Sequence, residues 1–249
     1  MVNLRAFRAT DEPETCLKFI EGHQRVLSSI GVKKVTSSTE EWMENPSAFV
    51  LVVESEEDGE ILGGSRIHAA DGKTLLPIET ATGYLDPGIN DLVKGLSRFG
   101  VAEICGLWNS RKVAGMGIGS IYLNRASIAI SEQLGLNRLI SLCAPYTVEP
   151  AKSYGYRVEE GVGNNGTFYY PKLDLIATVM VLDDVRELDH ADPNERAKVL
   201  ELRSQWNQVR HEREARKEVD IRYNLKLENV DPTEFHLKVV EKSIFDEKK

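Results

Sequence analysis

Three glycines at alternate positions, Gly115, Gly117 and Gly119, stand directly between a strand-like run and an amphipathic helical pattern. The run before them is GVAEICGLWN (100–109), and the helical pattern after them stops at Gly135. A strand that passes into a helix through a glycine turn is typical of a sheet flanked by helices. The segment therefore argues against a helix bundle.

The patterns on either side extend this prediction to most of the chain. Period-2 and β-branched runs predict strands, and spacings of three and four apolar residues predict helices. Two of the strands, separated by EEDGE, form an antiparallel hairpin. Apart from 100–135, the predicted elements are a strand at 4–8, a helix within 11–31, the hairpin strands 48–55 and 61–70, a strand at 137–148, a short helix at 149–155, and strands at 166–171 and 175–184. The order predicts an α/β or α+β sheet.

Residues 71–98 interrupt this order with scattered apolar residues and no sustained period. We interpret them as a long excursion with one short helix at INDLVKGL (89–96). Long ordered excursions are often functional, so this one is a candidate wall for a substrate pocket.

The last part of the chain, 185–249, is predicted to be a helix and strand extension of a domain at 1–184. Asp192 and Pro193 are suited to start a helix, and the charged run 210–218 is interpreted as its solvated end. The alternating run VDIRYNLKL (219–227) predicts a strand with one apolar face. Such a strand pairs either with the edge of the main sheet or with a second subunit in a homodimer.

Composition restricts the partners and the compartment. The formal net charge of −8 offers no basic surface for a nucleic acid, and the sequence has neither a signal peptide nor a membrane span. Three cysteines without C-x-x-C spacing predict reduced thiols rather than disulfides or zinc. The five histidines are scattered, so no metal is expected. We predict a cytoplasmic protein.

The glycine loop matches neither common nucleotide motif. Counting from Gly115, the sixth position is Ser120, where the dinucleotide fingerprint needs glycine, and Gly119 is not followed by the lysine of a P-loop. A G-x-G-x-G turn ahead of a helix can still hold a pyrophosphate through backbone N–H groups and the helix dipole. We predict such a site on six consecutive residues: Gly115, Met116, Gly117, Ile118, Gly119 and Ser120.

The segment 101–159 resembles the acyl-CoA core of the GCN5-related N-acetyltransferase (GNAT) superfamily, and the order of elements matches that fold from about residue 3 to 184. The resemblance implies a mixed, mostly antiparallel sheet flanked by helices. It also implies a coenzyme A pyrophosphate on an (Arg or Gln)-x-x-Gly-x-(Gly or Ala) loop. Ala114 stands where that loop has its basic or amide residue, so Lys112 or Arg111 would have to supply the charge.

Further site residues follow from the same resemblance. The strand residues Leu107, Trp108 and Asn109 match the family's pantetheine-binding strand, where a backbone N–H can stabilise a tetrahedral oxyanion. Glu103 is the candidate general base for the attacking amine, with an exposed strand acid as the alternative. The family's general-acid tyrosine maps to about Ala151, so the neighbours Tyr146 and Tyr154 are the candidates, with packing as their alternative role.

A second resemblance is to the acyl-homoserine lactone synthase branch of the same fold. A G-x-x-R strand and an E-x-S-R strand recur there, and Gly63, Arg66 and Glu103 match them, while Gly106 replaces the second arginine. The resemblance implies a substrate-binding role for Arg66. It also implies an acyl pocket that takes groups larger than acetyl.

Together these features predict an N-acyltransferase that moves an acetyl or longer acyl group from acyl-CoA to a small-molecule amine by direct attack. One alternative is a long-chain N-acyl synthase that takes its acyl group from coenzyme A or a carrier protein. The other is a non-catalytic acyl-CoA binding module, which the missing loop arginine favours.

Overall fold

The strands of this protein form one mixed sheet. The computed structural model describes residues 1–32, 39–116, 119–214 and 217–235. Within them the strands are β1 (Val2–Arg8), β2 (Ala48–Ser55), β3 (Ile61–Ala69), β4 (Val101–Asn109), β5 (Arg138–Cys143), β6 (Arg157–Val158), β7 (Thr167–Tyr169), β8 (Ile176–Leu182), β9 (Asn207–Glu214) and β10 (Lys217–Asn224). Their order is β6-β8-β5-β4-β3-β2-β1-β10-β9, with β7 also paired to β8. The pairs β1–β10 and β4–β5 are parallel and the other pairs are antiparallel.

The helices flank this sheet and begin where the sequence provides start signals. Prolines open four of them, and the side chain of Asp192 accepts hydrogen bonds from the N–H groups of Asn194 and Glu195. The helices are α1 (Pro13–Ser29), α2 (Pro77–Thr82), α3 (Gly88–Ser97), α4 (Arg111–Met116), α5 (Ser120–Ile130), α6 (Pro145–Ser153) and α7 (Pro193–Ser204). None of these helices is long and apolar enough to cross a membrane.

The alternation of side chains along β2 places α1 and α5 on opposite faces of the sheet. Ala48, Val50 and Val52 pack with Phe19 of α1, whereas Phe49 and Leu51 belong to the core that contains α5. Both faces of β2 are buried, which explains its continuous apolar sequence. The predicted mixed, mostly antiparallel sheet with flanking helices is confirmed.

Several predicted elements differ from the structure. The excursion holds two helices, α2 and α3, rather than one; α5 ends at Ile130, before the predicted stop at Gly135; Gly115 lies in α4; the predicted strand 137–148 ends at Cys143, and α6 begins at Pro145; and the charged run is not a helix end. Residues 207–214 form β9 instead, paired to β10. The reason is that β10 offers a free edge, and an edge strand tolerates charged side chains on its solvent side.

The C-terminal strands join the sheet beside β1. β10 pairs with β1 from Val2 and Ile221 onward, and Tyr223 and Leu225 enter the core that contains α5. The strand predicted at 219–227 therefore pairs with the edge of the chain's own sheet, which was the first of its two predicted arrangements. The division of the chain at residue 184, and a role for 185–249 in dimerisation, remain predictions.

Candidate active site

A gap opens in the sheet where β4 and β5 separate. The two parallel strands are paired only from Val101 to Glu103 and from Arg138 to Ile140, although each continues further. Beyond Glu103 they no longer share hydrogen bonds, and a cavity of about 400 Å³ lies between them. Its walls include Ile104–Asn109 of β4 and 141–144 at the end of β5.

A β-bulge in β4 shapes one wall of this cavity. Gly64 pairs with Trp108 and Arg66 with Cys105, so Gly106 and Leu107 together face the single residue between them on β3. A bulge bends its strand and leaves backbone groups outside the ladder. Both bulge residues line the cavity. Gly106 has φ +58°, a left-handed conformation that glycine adopts without strain.

The backbone N–H of Asn109 points away from β3. Gly63 pairs with Asn109, and the hydrogen bond beside this pair runs from the N–H of Ser110 to the carbonyl of Leu62. Successive residues of a strand direct their N–H groups to opposite edges, so the N–H of Asn109 faces the β5 side, where the cavity lies. The Asn109 amide is assigned the orientation that satisfies both of its ends, in which its oxygen accepts from the N–H of Ser120 at 3.0 Å.

The predicted pyrophosphate loop is only partly visible. Gly115 and Met116 end α4, Gly119 caps α5, Ser120 lines the cavity, and Gly117 and Ile118 lie outside the described residues. Lys112 is exposed and forms an ion pair with Glu60, which raises the pKa of the lysine. Its ammonium group is therefore engaged with the loop before β3.

Residues from both faces of the sheet line the cavity. On one face these are Ser120, Asn124 and Ala151, from α5 and α6. On the other face α1 contributes His23 and two neighbours one turn further on, Val26 and Leu27.

Trp108 both lines the cavity and packs in the core beside α1. Its ring is buried against α1, where a Cβ on Gly22 would lie 2.1 Å from the ring, and it also lines the cavity. Glycine at position 22 is therefore what allows α1 to approach β4 this closely.

The two candidate tyrosines stand in different environments. Tyr154 is buried and lines the cavity, and its hydroxyl donates a hydrogen bond to the carbonyl of Ile121 at 3.0 Å. Tyr146 also lines the cavity but is 79% exposed at its rim. A third tyrosine, Tyr156, completes this wall, and burial raises its pKa.

Glu103 lies at the apex of the gap, behind the cavity wall rather than in it. The side chain is buried, and Oε2 accepts from the N–H of Ile78 at 2.6 Å, in the first turn of α2. Burial raises the pKa of this carboxyl to about 8, and the Ile78 hydrogen bond and the charge of Arg66 act in the opposite direction. The alternative reading of an exposed strand acid is therefore wrong.

Arg66 is a buried cation beside the cavity wall. Its guanidinium lies 4.3 Å from the Trp42 ring centroid, and Nη2 lies 3.8 Å from the sulfur of Cys105. Nε and Nη1 are buried without a hydrogen-bond partner among the described residues. A Cβ on Gly106 would meet Nε at 2.9 Å, so only a side-chain-free residue separates the guanidinium from the cavity.

His23 is a cavity residue that the sequence analysis did not select. Its side chain is 6% exposed and makes no hydrogen bond within the described part of the chain. Burial, and next the charge of Arg66, lower the pKa of its imidazole to about 4, so the ring is neutral at pH 7. The available signal was its place on the buried face of α1, with Cys16, Phe19 and Ile20.

Two thiols also line the cavity. Burial raises the pKa of Cys105 to about 12 and that of Cys143 to about 11, so both stay protonated at neutral pH. Protonated thiols are poor nucleophiles. Across the described residues, no group of three or more His, Cys, Asp or Glu side chains is arranged to hold a metal ion.

Comparison with known proteins identifies the fold. The chain is similar to FeeM, an N-acyl amino acid synthase from uncultured soil microbes, with 17% identity, a TM-score of 0.55, and coverage of 75% of this chain and 98% of that one. It is also similar to BjaI, a CoA-dependent acyl-homoserine lactone synthase solved with SAM and isopentyl-CoA, with 10% identity, a TM-score of 0.54, and coverage of 82% and 90%.

No protein-family model matches the sequence, and no curated protein matches it. At the identities just given, the likeness is one of fold. The fold implied by the GNAT resemblance is thereby confirmed.

Proposed function

We propose that this protein is an N-acyltransferase that moves an acyl group from an acyl thioester to an amine. The observation that carries the proposal is the cavity between the diverging ends of β4 and β5, lined by the bulge and by helices on both faces of the sheet. Direct attack needs two substrates brought together in one water-poor site. A cavity with walls from α5 on one face and α1 on the other supports that arrangement.

The donor thioester enters from the side of α5 and α6. The pantetheine arm follows Leu107, Trp108 and Asn109, and the inward N–H of Asn109 is a donor for the oxyanion of the tetrahedral intermediate. Removal of one such donor typically costs 10²–10³-fold in turnover. The pyrophosphate takes the N-terminus of α5 and the glycine loop, with Ser120 in its first turn.

The acceptor enters from the side of α1 and carries a carboxylate. Arg66 supports this assignment, because a buried guanidinium with two unpaired nitrogens is costly unless a ligand supplies the anion. FeeM is described as an N-acyl amino acid synthase, which also favours an amino acid as the acceptor. The acceptor class proposed is therefore an amino acid or a similar carboxylate-bearing amine.

The proton-transfer groups are assigned by their distance from the cavity. Tyr154, whose hydroxyl lies on the wall, is the proposed acid for the leaving thiolate, and Tyr146 at the rim is the alternative. Glu103 lies behind the wall and can act on the amine only through another group or a water molecule.

We also expect that the protein is cytoplasmic, that it can form a homodimer and that it binds no nucleic acid.

A longer acyl group is the second candidate, favoured by the size of the cavity. Its volume of about 400 Å³ is within the range of pockets for whole small ligands, and its walls include Ile104, Leu107 and Leu142. BjaI was solved with isopentyl-CoA, whose five-carbon chain is longer than an acetyl group. Either coenzyme A or a carrier protein can present such a group.

Calorimetric titration tests the donor site. The full chain is titrated with coenzyme A, acetyl-CoA and decanoyl-CoA. The variant Ser120→Asp, which puts a negative charge at the start of α5, is then titrated with the same three ligands. An acid in a first turn is favourable for the helix itself, so folding should be retained. We expect binding to weaken at least tenfold in Ser120→Asp and to be unchanged in the control Asn194→Asp, in the first turn of α7.

Thiol release with a panel of amino acids and simple amines then tests catalysis. Turnover supports an acyltransferase, and the ratio of rates with acetyl-CoA and decanoyl-CoA selects the acyl group. Binding of coenzyme A without turnover on any amine would instead support the non-catalytic acyl-CoA module. If none of coenzyme A, acetyl-CoA and decanoyl-CoA binds, the proposed coenzyme A site is overturned. A donor bound to a carrier protein is then the remaining hypothesis.

A further inference from the structure

We propose that His23 is a catalytic residue on the acceptor side, where it accepts a hydrogen bond from the attacking amine and takes its proton as the carbon–nitrogen bond forms. The inference rests on the proposed function and goes beyond it, because neither resemblance assigns a role to this position on α1.

Geometry carries the proposal. His23 lines the cavity from the α1 face, while the bulge residues Gly106 and Leu107 line it from β4. The amine that attacks a thioester held along β4 must approach from this face, because α5 and α6 occupy the donor face. Of the described residues that line the cavity, α1 contributes Val26, Leu27 and His23, and only the last has a side chain able to accept a proton.

Unsatisfied hydrogen-bonding capacity is the second argument. His23 is 6% exposed, and no described residue forms a hydrogen bond with its imidazole. Buried polar groups are nearly always hydrogen-bonded, so an imidazole that lines a cavity and has no partner among the described residues points to a ligand as its partner. The Phe19 ring stands 6.1 Å away between centroids and supplies packing rather than a partner.

The protonation state suits the role. Burial, and to a lesser extent the positive charge of Arg66, keep the imidazole neutral at pH 7, so its unprotonated nitrogen is an acceptor. The other titratable groups that line this cavity are the thiols Cys105 and Cys143 and the phenols of Tyr146, Tyr154, Tyr156 and Tyr170. A carboxylate of the acceptor beside Arg66 would offset the charge repulsion, which is the smaller of the two causes that lower the pKa of His23, and so make the ring a somewhat stronger base.

The step balances without an external reagent. The neutral amine nitrogen bonds to the thioester carbonyl carbon, and one N–H proton passes to His23. The carbon–sulfur bond then breaks with its electron pair on sulfur, which takes a proton from the Tyr154 phenol. Tyr154 is reprotonated from water and His23 releases its proton to water. The products are the amide and the free thiol.

Chemical rescue tests the assignment. Wild type, His23→Ala and His23→Gln are assayed for thiol release with decanoyl-CoA and acetyl-CoA, using L-leucine, L-phenylalanine and hydroxylamine as acceptors, with and without added imidazole. We expect kcat to fall at least 100-fold in both variants with the KM for the thioester unchanged, because a general base contributes 10²–10⁴-fold. Added imidazole should raise the kcat of His23→Ala at least tenfold, because the lost side chain leaves a space for it. It should not change the kcat of His23→Gln.

The control His190→Ala removes an exposed histidine outside the cavity and should have wild-type kcat. Loss of activity in His23→Ala without rescue, with an unchanged thermal midpoint, would mean that His23 only packs. Full activity in both variants would also overturn the inference. An inactive wild type that binds coenzyme A would contradict the proposed function itself, and the role of His23 would fall with it.

Discussion

The hydroxyl of Tyr154 donates a hydrogen bond to the backbone carbonyl of Ile121, 3.0 Å away, and so ties the turn after α6 to the first turn of α5 across one wall of the cavity. This hydrogen bond holds the phenol in place at the cavity wall. In the proposed reaction the hydroxyl would have to turn from this carbonyl in order to protonate a leaving sulfur.

The first prediction concerns this phenol. Tyr154→Phe removes the proton but keeps the ring, so we expect kcat with acyl-CoA to fall 10²-fold or more and stability to fall by about 1 kcal/mol. An aryl thioester, whose thiolate leaves without protonation, should restore most of the loss. Tyr146→Phe, at the exposed rim, is the comparison and should stay within threefold of wild type. Equal losses with both thioesters would contradict an acid role for Tyr154.

The second prediction concerns the bulge. Gly106→Ala would force a side chain into the left-handed region and place its Cβ 2.9 Å from Nε of Arg66. Strain of this kind typically costs about 1–3 kcal/mol, so the free energy of unfolding should fall by that amount, with loss of turnover. Chemical denaturation measures the change.

Gly95→Ala is the matched control for that substitution. Gly95 lies within α3, and a Cβ there would meet no atom within 4 Å. Replacing a helical glycine by alanine should raise stability by about 0.5–1 kcal/mol. If the free energy of unfolding falls in Gly106→Ala and rises in Gly95→Ala, the loss is due to backbone strain at the bulge and not to a general effect of adding a methyl group.

The third prediction concerns the attachment of the C-terminal elements. Arg125 of α5 is buried between Glu195 of α7, at 2.9 Å, and Glu212 of β9, at 3.5 Å. Arg125→Met removes the buried cation that the two carboxylates share and leaves Glu195 with Lys198 and Glu212 with Arg210, so we expect a loss of about 3 kcal/mol in the free energy of unfolding. The exposed pair Arg157–Asp183 provides the control, and Arg157→Met should cost less than about 1 kcal/mol.

The fourth prediction is a pH dependence of stability at Glu103. Burial raises the pKa of its carboxyl to about 8 from the ordinary 4.5. Between these two values the folded chain keeps a proton that the unfolded chain has released, so the free energy of unfolding falls as the pH rises. The contribution is fully present below pH 4.5 and is lost as the pH passes 8, with a slope of at most about 1.4 kcal/mol per pH unit.

Glu103→Gln measures this contribution directly. The variant lacks the titrating group, so its stability relative to wild type should rise steadily between pH 4.5 and 8. Denaturation curves at half-unit steps of pH are sufficient. Parallel pH profiles for the two proteins would show that the carboxyl is not held protonated by its surroundings.

The sequence by itself determined the elements and the faces they bury. The β-branched run 48–55, the turn EEDGE and the run 61–70 indicated the hairpin of β2 and β3, and Asp192 with Pro193 indicated the start of α7, because local patterns and capping act over a few residues. The order of these elements, together with the motif around 101–159, was enough to predict the fold. Leu107, Asn109 and Tyr154 were candidates from the family resemblance, and all three line one cavity.

Only the tertiary structure decided how the site is built. The separation of β4 from β5, the place of Arg66 behind Gly106, and the position of His23 opposite the bulge all depend on residues far apart in the chain. The charged run at 210–214 became a strand because β10 supplied an edge, which no local pattern records. Periodicity in the sequence indicates which face of an element is buried. Packing across the sheet decides which of the buried groups line a cavity and which have no hydrogen-bond partner among the described residues.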